Sequence, residues 1–325
     1  ALGQEQGHLF CQRYNISKTG NFNGANIPNL IGTPNKTNLS EQQLEELRER
    51  LFAVRNRRPH PFKDDKILTS WNGLMIGALA KGARILEEPT YLEAAEKAVQ
   101  FIFKNLQNEN GRLFARYRKS SGVPGFLDDY AFLIWGLLEL YETTFKKFYL
   151  EQASSLAKKV LEMFTDFNGP GFFFAADDVD NLPIRPKKFY DEALPSGNSV
   201  MVWNMLRLHN YLPDHNWGLT AERLLKEMQG AAERYPMGYA MFLTALDYGL
   251  SPVTEIKITG PPSDPVFQRM IQLVQKVYLP HSVLRVEEDR QRTYTDAMVC
   301  TGSHCLPPIR DPSILENTIK KTTSS

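Results

Sequence analysis

The chain has 325 residues, which suits one large domain with an appendage or two ordinary domains. Hydrophobic residues make up 42 % and charged residues 23 %, and 38 Lys and Arg against 37 Asp and Glu leave almost no net charge. There is no basic face with interleaved aromatic residues and no apolar run of roughly 18 residues, so we expect neither a nucleic-acid partner nor a membrane span. The chain begins at Ala1 without a signal pattern, which leaves its compartment unknown.

The first part of the chain predicts two helices joined by a loop. Residues 1–14 read as the end of a helix, and residues 15–39, rich in Asn, Gly, Thr and Pro, read as a loop. Ser40 is well placed to cap a helix over 41–55, whose dense charges indicate a solvated side. Residues 56–69 contain two prolines and are expected to be irregular.

From residue 70 the chain shows an internal repeat. Tyr91-Leu92-Glu93 opens one segment, and Tyr149-Leu150-Glu151 opens the next after 58 residues. An Asn-Gly pair follows both at the same offset, at 110–111 and 168–169, and each pair leads into an aromatic run. A shared start, turn and aromatic run together indicate a repeated structural unit.

The predicted helices alternate in character. Those at 71–86, 126–141, 196–211 and 237–249 are apolar nearly all round, whereas those starting at Tyr91 and Tyr149 and the one at 218–230 carry a single apolar stripe. A helix that is apolar all round must be buried all round. The pattern therefore predicts an inner and an outer ring of helices.

We therefore predict a mainly α fold, an (α/α) toroid of helical hairpins over residues 1–250, with 1–69 leading into hairpins at 70–250. The toroid is expected to be incomplete, because three hairpins and part of another can be counted where six would close a ring. A partial ring is expected to expose inner apolar side chains. The expected exposed residues are Leu133, Ile134, Trp135 and Leu137.

The last part of the chain changes pattern after Pro252. Alternating segments at 253–259, 282–287 and 293–299 predict strands, with a helix at 267–277. They indicate a small α/β appendage over 251–316. Residues 317–325 are mostly polar and are predicted to form a frayed tail.

The candidate site follows from the predicted rings. Inner helices that alternate with outer ones all run in one direction, so their N-termini share one end of the ring. Asp128 or Asp129 is the candidate acid/base. Asp128 also reads as an N-cap whose loss would cost stability, so Asp129, about 100° further round the helix, is the better candidate. Asp191, or its neighbour Glu192, is the candidate second carboxylate.

The predicted substrate contacts are polar and aromatic residues at the same helix ends. Aromatic faces stack on sugar rings, and amides, hydroxyls and guanidinium groups bind hydroxyl or anionic groups. A purely structural role stays open for several of them: a cap for Ser196, a core residue for Trp71 and a solvated cation for Arg116. The predicted contacts are Trp71, Asn72, Tyr130, Ser196, Asn198 and Arg116.

Metal and cofactor sites are not predicted. Cys300, His304 and Cys305 lie close in sequence, but without a Cys-x-x-Cys pair, so a metal site and a local disulfide both stay open. No nucleotide-binding, α/β-hydrolase or zinc-peptidase motif occurs in the chain.

Four stretches resemble a known family. They lie at 22–27 (FNGANI), 64–75 (DDKILTSWNGLM), 126–132 (FLDDYAF) and 195–199 (PSGNS), and they are similar to the spermatogenesis-associated protein 20 family and its bacterial relatives. Members of that family carry a thioredoxin-like domain followed by a six-hairpin toroid. The resemblance implies that this chain is the C-terminal part, with the thioredoxin-like domain as its partner in cis and a secreted location.

The resemblance and the residues together leave two functional hypotheses. The toroid of the family is similar to N-acylglucosamine epimerases and unsaturated glucuronyl hydrolases, which implies a pocket for a small sugar or polyol; an enzyme would then be glycosidase-like or epimerase-like. The alternative is a non-catalytic platform that presents clients to the thioredoxin-like domain. A second carboxylate at catalytic distance from Asp129 would favour the first hypothesis.

Overall fold

The computed structural model describes residues 1–31, 37–179, 183–212 and 216–322. It divides into two compact units, Ala1–Asp65 and Lys66–Ser325. The first unit holds α1 (Gln4–Arg13) and α2 (Glu41–Arg55). Ser40 caps α2 as predicted: its hydroxyl accepts a bond from Gln43 N–H, and the Gln43 side chain accepts one from Ser40 N–H. Part of the predicted loop, residues 32–36, lies outside the described residues.

The second unit consists mainly of helical hairpins. Its helices pack in sequence, with α3 on α5, α5 on α7 and α7 on α9, while α4, α6 and α8 pack outside them. The segments in chain order are β1 (Ile67–Leu68), α3 (Thr69–Leu86), α4 (Pro89–Asn105), β2 (Arg116–Arg118), β3 (Ser120–Ser121), α5 (Leu127–Thr144), α6 (Lys147–Met163), α7 (Gly197–Tyr211), α8 (Trp217–Arg234) and α9 (Ala240–Leu250). The fold is therefore mainly α, with the hairpin arrangement of an α/α toroid, as predicted.

The burial of the helices explains why the sequence alternates. The inner helix α5 is buried from Leu127 to Tyr141 apart from Asp128 and Trp135, which are half-buried. The outer helix α4 buries Ala95, Val99 and Ile102 on one stripe only. An inner helix has protein on nearly every side and so needs apolar residues all round.

The internal repeat is confirmed in the backbone. The first aromatic run turns back so that Phe114 N–H donates to Leu106 O at 2.8 Å, and the second makes the same bond from Phe173 N–H to Phe164 O at 2.8 Å. The segments after α4 and α6 therefore share the same local structure, a short return that runs from the outer helix to the next inner one.

The inner helices α3 and α5 cross at glycines. A Cβ atom on Gly73 would lie 2.5 Å from the carbonyl carbon of Phe132, and one on Gly136 would lie 2.6 Å from Gly73 O. Real side chains do not tolerate such distances, so the two backbones approach as closely as they do only because both positions lack a side chain.

The exposed apolar residues differ from those predicted. Leu133, Ile134 and Leu137 are fully buried and Trp135 is half-buried. The prediction was wrong because α3, α6 and α7 all pack on α5 and together cover it.

An exposed apolar stripe lies on α3 instead. Trp71 is 62 % exposed, Met75 57 % and Ile85 48 %. At 100° per residue these side chains lie on the opposite side of α3 from Gly73 and Ala80, the side that faces α5. The helix therefore has an inner neighbour on one side and an open edge on the other, which we call the α3 stripe.

A buried ion-pair network connects the C-terminal ends of the inner helices α3, α5 and α7. Glu139 of α5 pairs with Arg84 of α3 at 3.0 Å and with Arg207 of α7 at 3.1 Å. Glu142, one turn further on, also pairs with both arginines. All four residues lie near the C-terminal ends of their helices, so α3, α5 and α7 run in the same direction.

The α/β appendage forms one four-stranded sheet with two helices. Its strand order is β5-β4-β6-β7, with β4 and β5 parallel and the other pairs antiparallel. The segments are β4 (Thr254–Gly260), α10 (Pro265–Lys276), β5 (Ser282–Glu288), β6 (Asp296–Thr301), β7 (His304–Cys305) and α11 (Pro312–Thr322).

The predicted frayed tail is wrong over most of its length. The helix α11 continues to Thr322 and buries Leu315 and Ile319 completely in the core of the appendage. Residues 323–325 lie outside the described part of the chain. Within that part, none of the helices combines the length and the hydropathy that a bilayer span requires.

Candidate functional site

Asp129 joins the N-termini of α3 and α5. Its Oδ1 accepts a hydrogen bond from Ser70 N–H at 2.9 Å, and its Oδ2 accepts one from Phe126 N–H at 2.8 Å. The capping bond of α5 therefore belongs to Asp129, and the prediction that Asp128 is the N-cap is wrong. Phe126 is the N-cap residue, so Asp129 is the third residue of the helix, and its carboxylate reaches back to the cap.

Asp191 makes the equivalent connection between α7 and α9. Its Oδ1 accepts from Ser196 N–H at 2.7 Å, and its Oδ2 accepts from Met241 N–H at 2.8 Å. Ser196, a predicted substrate contact, is the N-cap of α7, which is the structural role left open for it, and its hydroxyl also accepts from Ser199 N–H at 3.1 Å. The loop carboxylate thus holds two helix starts together.

Asp128 lies between the remaining pair of helices, α5 and α7. A Cβ atom on Gly197, the first residue of α7, would lie 2.5 Å from Asp128 Oδ1. That oxygen is buried and has no well-aligned hydrogen-bond partner among the described residues. Three carboxylates therefore lie where four helix N-termini, each with a partial positive charge, meet at one end of the inner helices. This confirms that the inner N-termini share an end.

Burial shifts the pKa values of both adjacent aspartates upward. Burial raises the pKa of Asp129 to about 7, although the N–H groups of Phe126 and Ser70 favour its charged form. Burial also raises the pKa of Asp128, against the opposing effects of the Lys188 charge and the Gly197 backbone N–H. Both carboxyl groups therefore hold their protons more tightly than an exposed aspartate would.

Asn198 is occupied by backbone groups. Its Oδ1 accepts from Phe172 N–H at 2.7 Å, and its Nδ2 donates to Phe172 O at 3.0 Å and Lys188 O at 2.8 Å. The residue is completely buried. Its amide therefore fixes the loop that leads from α6 to α7 and has little capacity left for a ligand.

Tyr130 does not provide the predicted stacking surface. Its ring is fully buried, and its hydroxyl accepts a bond from Leu113 N–H at 2.9 Å. Tyr130, four positions after the N-cap Phe126, turns inward, and its side chain anchors the first aromatic run. Tyr130 is therefore a core residue.

The other predicted contact residues are spread over the same region. Trp71 is well exposed and lies next to Ser70, which bonds Asp129. Asn72 is half-buried, and its Nδ2 donates to Leu68 O at 2.8 Å. Arg116 is exposed on β2.

Sequence reasoning missed the aromatic and cationic side chains beside Asp128. Lys188 Nζ lies 4.1 Å from the ring centre of Phe174, and that ring stacks on Phe126 at 4.9 Å. Lys188 is also the cation that acts on the Asp128 carboxyl. Phe174 belongs to the second aromatic run, which the sequence does show. The loop then brings Lys188 back over the Phe174 ring, and no sequence pattern predicts that contact.

The described residues contain no group of three or more His, Cys, Asp or Glu side chains arranged to hold a metal ion. Of the two alternatives left open for the cysteines, the structure contains the disulfide, Cys300–Cys305. A groove along α2 is lined by side chains of that helix alone, none of them a candidate site residue.

The hairpins and their shared N-terminal end define a mainly α protein of the α/α-toroid class. No protein-family model matches the chain. Human spermatogenesis-associated protein 20 is 30 % identical over 81 % of the chain, and the mouse protein is 28 % identical over 94 %. The chain is therefore similar to the spermatogenesis-associated protein 20 family over most of its own length. It spans 37 % of the human relative and 45 % of the mouse relative.

Two further kinds of relative were found. An uncharacterised protein of Caenorhabditis elegans is 30 % identical over 86 % of the chain, which covers 41 % of it. Among solved structures, cellobiose 2-epimerase from Bacillus thermoamylovorans aligns with 51 % of this chain and 45 % of its own, at 15 % identity and a TM-score of 0.43. A family 105 glycoside hydrolase of C. acetobutylicum aligns with 57 % of each chain, at 15 % identity and a TM-score of 0.42.

Proposed function

We propose that the end of the inner helices where their N-termini meet binds a small sugar or polyol, with Asp128 as the carboxylate that contacts it. One observation carries the proposal: Asp128 Oδ1 is buried beside the start of α7 with no well-aligned partner. The Asp128 side chain as a whole is only half-buried, so its carboxylate group remains open to accept a hydrogen bond from a ligand hydroxyl.

The surroundings of Asp128 supply the other chemistry that such a ligand needs. Stacked Phe126 and Phe174 and the nearby Lys188 offer an aromatic surface and a donor. Trp71 offers a second, exposed ring at the same helix ends. If the bound sugar reacts, the raised pKa of Asp128 suits a general acid, in a glycosidase-like or epimerase-like reaction.

Asp129 and Asp191 take supporting roles in this proposal. Each spends both oxygens on backbone N–H groups of two different helices. They hold the helix starts at fixed distances, and this positions Asp128. The name of the mammalian relatives associates them with spermatogenesis, and we extend that association to this chain as part of the proposal.

A non-catalytic platform is the second candidate function. The observation in its favour is the α3 stripe, an apolar surface suited to another protein segment. Under that function the carboxylates at the helix ends would serve stability alone, and no sugar would bind.

Calorimetric titration of the full-length protein with neutral monosaccharides and uronic acids tests the proposal. We expect one class to bind, and Asp128→Asn to weaken that binding at least about tenfold, which corresponds to about 1.4 kcal/mol. Asp177→Asn, which alters an exposed loop carboxylate, is the matched control and is expected to bind like the parent. If no sugar binds, or if Asp128→Asn binds as tightly as the parent, the proposed site is wrong and the platform is favoured.

A further inference from the structure

The disulfide of the appendage joins two residues that the sheet already holds together. Cys300 of β6 and Cys305 of β7 are directly opposite each other in the antiparallel register, with Cα atoms 4.0 Å apart. Thr301 and His304 form the next pair, and Gly302 turns the chain with a φ of 58°. The hairpin is thus defined by its backbone pairing and its glycine turn.

Such a disulfide contributes little constraint to the unfolded chain. The stabilisation by a cross-link grows with the length of the loop that it closes, and these cysteines are 5 residues apart. The flanking bond from Leu306 N–H to Val299 O at 2.9 Å holds the same two strands together without it. A purely structural role therefore explains poorly why two cysteines occupy this hairpin.

The disulfide is accessible from solvent. The strand β7 is the edge of the sheet, and Cys305 is exposed while Cys300 is half-buried. Ala297 and Val299 point into the core of the appendage, so by strand alternation Cys300 lies on the opposite face. An incoming thiolate can therefore reach the sulfur of Cys305 along the sheet edge.

We propose that Cys300–Cys305 is a thiol–disulfide exchange site that accepts two electrons from a protein dithiol. A thiolate of the dithiol attacks Cys305 Sγ, the bond to Cys300 Sγ breaks, and Cys300 leaves as a thiolate that takes up a proton. The second thiol of the dithiol loses its proton and attacks the sulfur that the first one contributed. Cys305 then leaves as a thiolate and is protonated. The hairpin gains two electrons and two protons, and the partner becomes a disulfide.

The free thiol of Cys11 is a built-in comparison. It lies in α1 of the other unit and is half-buried. A free thiol cannot accept electrons from a dithiol, so under the proposal Cys11 takes no part in the exchange. This exchange is independent of the sugar site, because it involves only the sheet of the appendage.

A covalent trap tests the proposal on the 325-residue chain. The probe is a small Cys-x-x-Cys oxidoreductase whose second cysteine is replaced by serine, so that the mixed disulfide cannot resolve. We expect an adduct on Cys305 in the parent and in Cys11→Ser, and none in the double variant Cys300→Ser/Cys305→Ser. We also expect the melting temperature of the double variant to stay within about 3 °C of the parent.

Several results would overturn the proposal. One is the alkylation of all three cysteines in the untreated protein, which would show that the disulfide is not formed. Another is the absence of an adduct, or an adduct on Cys11. A third is a fall in melting temperature of more than about 8 °C in the double variant, because the disulfide would then be a structural cross-link.

Discussion

Asp128 and Asp129 are neighbours in sequence with opposite surroundings. A rotation of about 100° per residue directs Asp129 back toward the first turn of its own helix and the start of α3, and Asp128 toward the start of α7. Asp129 therefore finds two backbone N–H donors, whereas Asp128 Oδ1 finds no well-aligned one among the described residues. This difference gives Asp129 its structural role and leaves Asp128 for the proposed contact with a ligand.

The first prediction compares the two aspartates by truncation. Asp129→Ala leaves two N–H groups at helix starts without their acceptor, so we expect the free energy of unfolding to fall by about 2–4 kcal/mol. Asp128 Oδ1 has no well-aligned partner among the described residues, so Asp128→Ala is the matched control, with an expected loss below about 1 kcal/mol. Urea unfolding of both variants measures the difference. Equal losses would show that the bonds of Asp129 do not hold α3 and α5 together.

The second prediction concerns the pH dependence of stability. The pKa of Asp129 is about 7 in the folded protein, against 3.8 for an unperturbed aspartate. Between these values the folded state binds a proton that the unfolded state has lost, so the free energy of unfolding falls as pH rises, by up to about 1.4 kcal/mol per pH unit. The contribution is fully present below pH 4 and lost above pH 7.

The isosteric variant Asp129→Asn isolates this contribution, because its amide does not titrate. We expect the difference in unfolding free energy between the parent and Asp129→Asn to shift in favour of the variant from pH 4 to pH 7. Urea unfolding at intervals across this range measures it. A constant difference would mean that Asp129 does not carry the proton.

The identity of the capping residue could not be predicted from the sequence. The motif at 126–132 predicts a helix start, and an aspartate near it is a reasonable cap. The helix, however, begins at Leu127, two residues earlier than a cap at Asp128 requires, so Phe126 is the N-cap and the carboxylate of Asp129 makes the capping bond. The bond from Ser70 depends on the packing of α3 against α5, which local sequence does not encode.

The helices themselves were predictable because burial on all sides requires apolar residues on all sides. This reasoning placed α3, α5, α7 and α9 on the inside. The same reasoning could not predict which buried charged residues pair with each other. Glu139 and Arg207 appear in the sequence as isolated interruptions of apolar helices, and only the assembled hairpins show that they pair at 3.1 Å.

The third prediction tests the crossing of α3 and α5. Gly73→Ala would place a methyl group 2.5 Å from the backbone of Phe132, so we expect a loss of about 2–3 kcal/mol or more. Gly77→Ala, one turn further along α3, meets its nearest atoms at 3.6 Å, an ordinary contact. Since alanine favours helix over glycine, this control is expected to be neutral or stabilising by up to about 1 kcal/mol. Thermal and urea unfolding measure the stability of both variants. A similar effect of the two changes would contradict the close crossing of α3 and α5.

At the scale of the helical unit, the α3 stripe is an apolar surface that lies open to solvent. The inner helices α5 and α7 have inner neighbours on both sides, whereas α3 has only α5 among the described residues. An apolar stripe without a neighbour is expected to bind other apolar surfaces. The sequence predicted such exposure but placed it on α5, because it could not show which inner helix stands at the edge.

The fourth prediction is that the α3 stripe makes the 325-residue chain self-associate and bind hydrophobic dyes. We expect Met75→Lys/Ile85→Lys to lower dye fluorescence by about half and to shift the chain toward monomer, because both side chains lie on the stripe. The matched control is Leu219→Lys/Ile314→Lys, two residues of similar exposure on α8 and α11 that share no surface stripe with each other. Dye titration and analytical ultracentrifugation measure both effects. A parent chain that is monomeric, binds no dye and melts in one sharp transition would show that the stripe has no need of a partner.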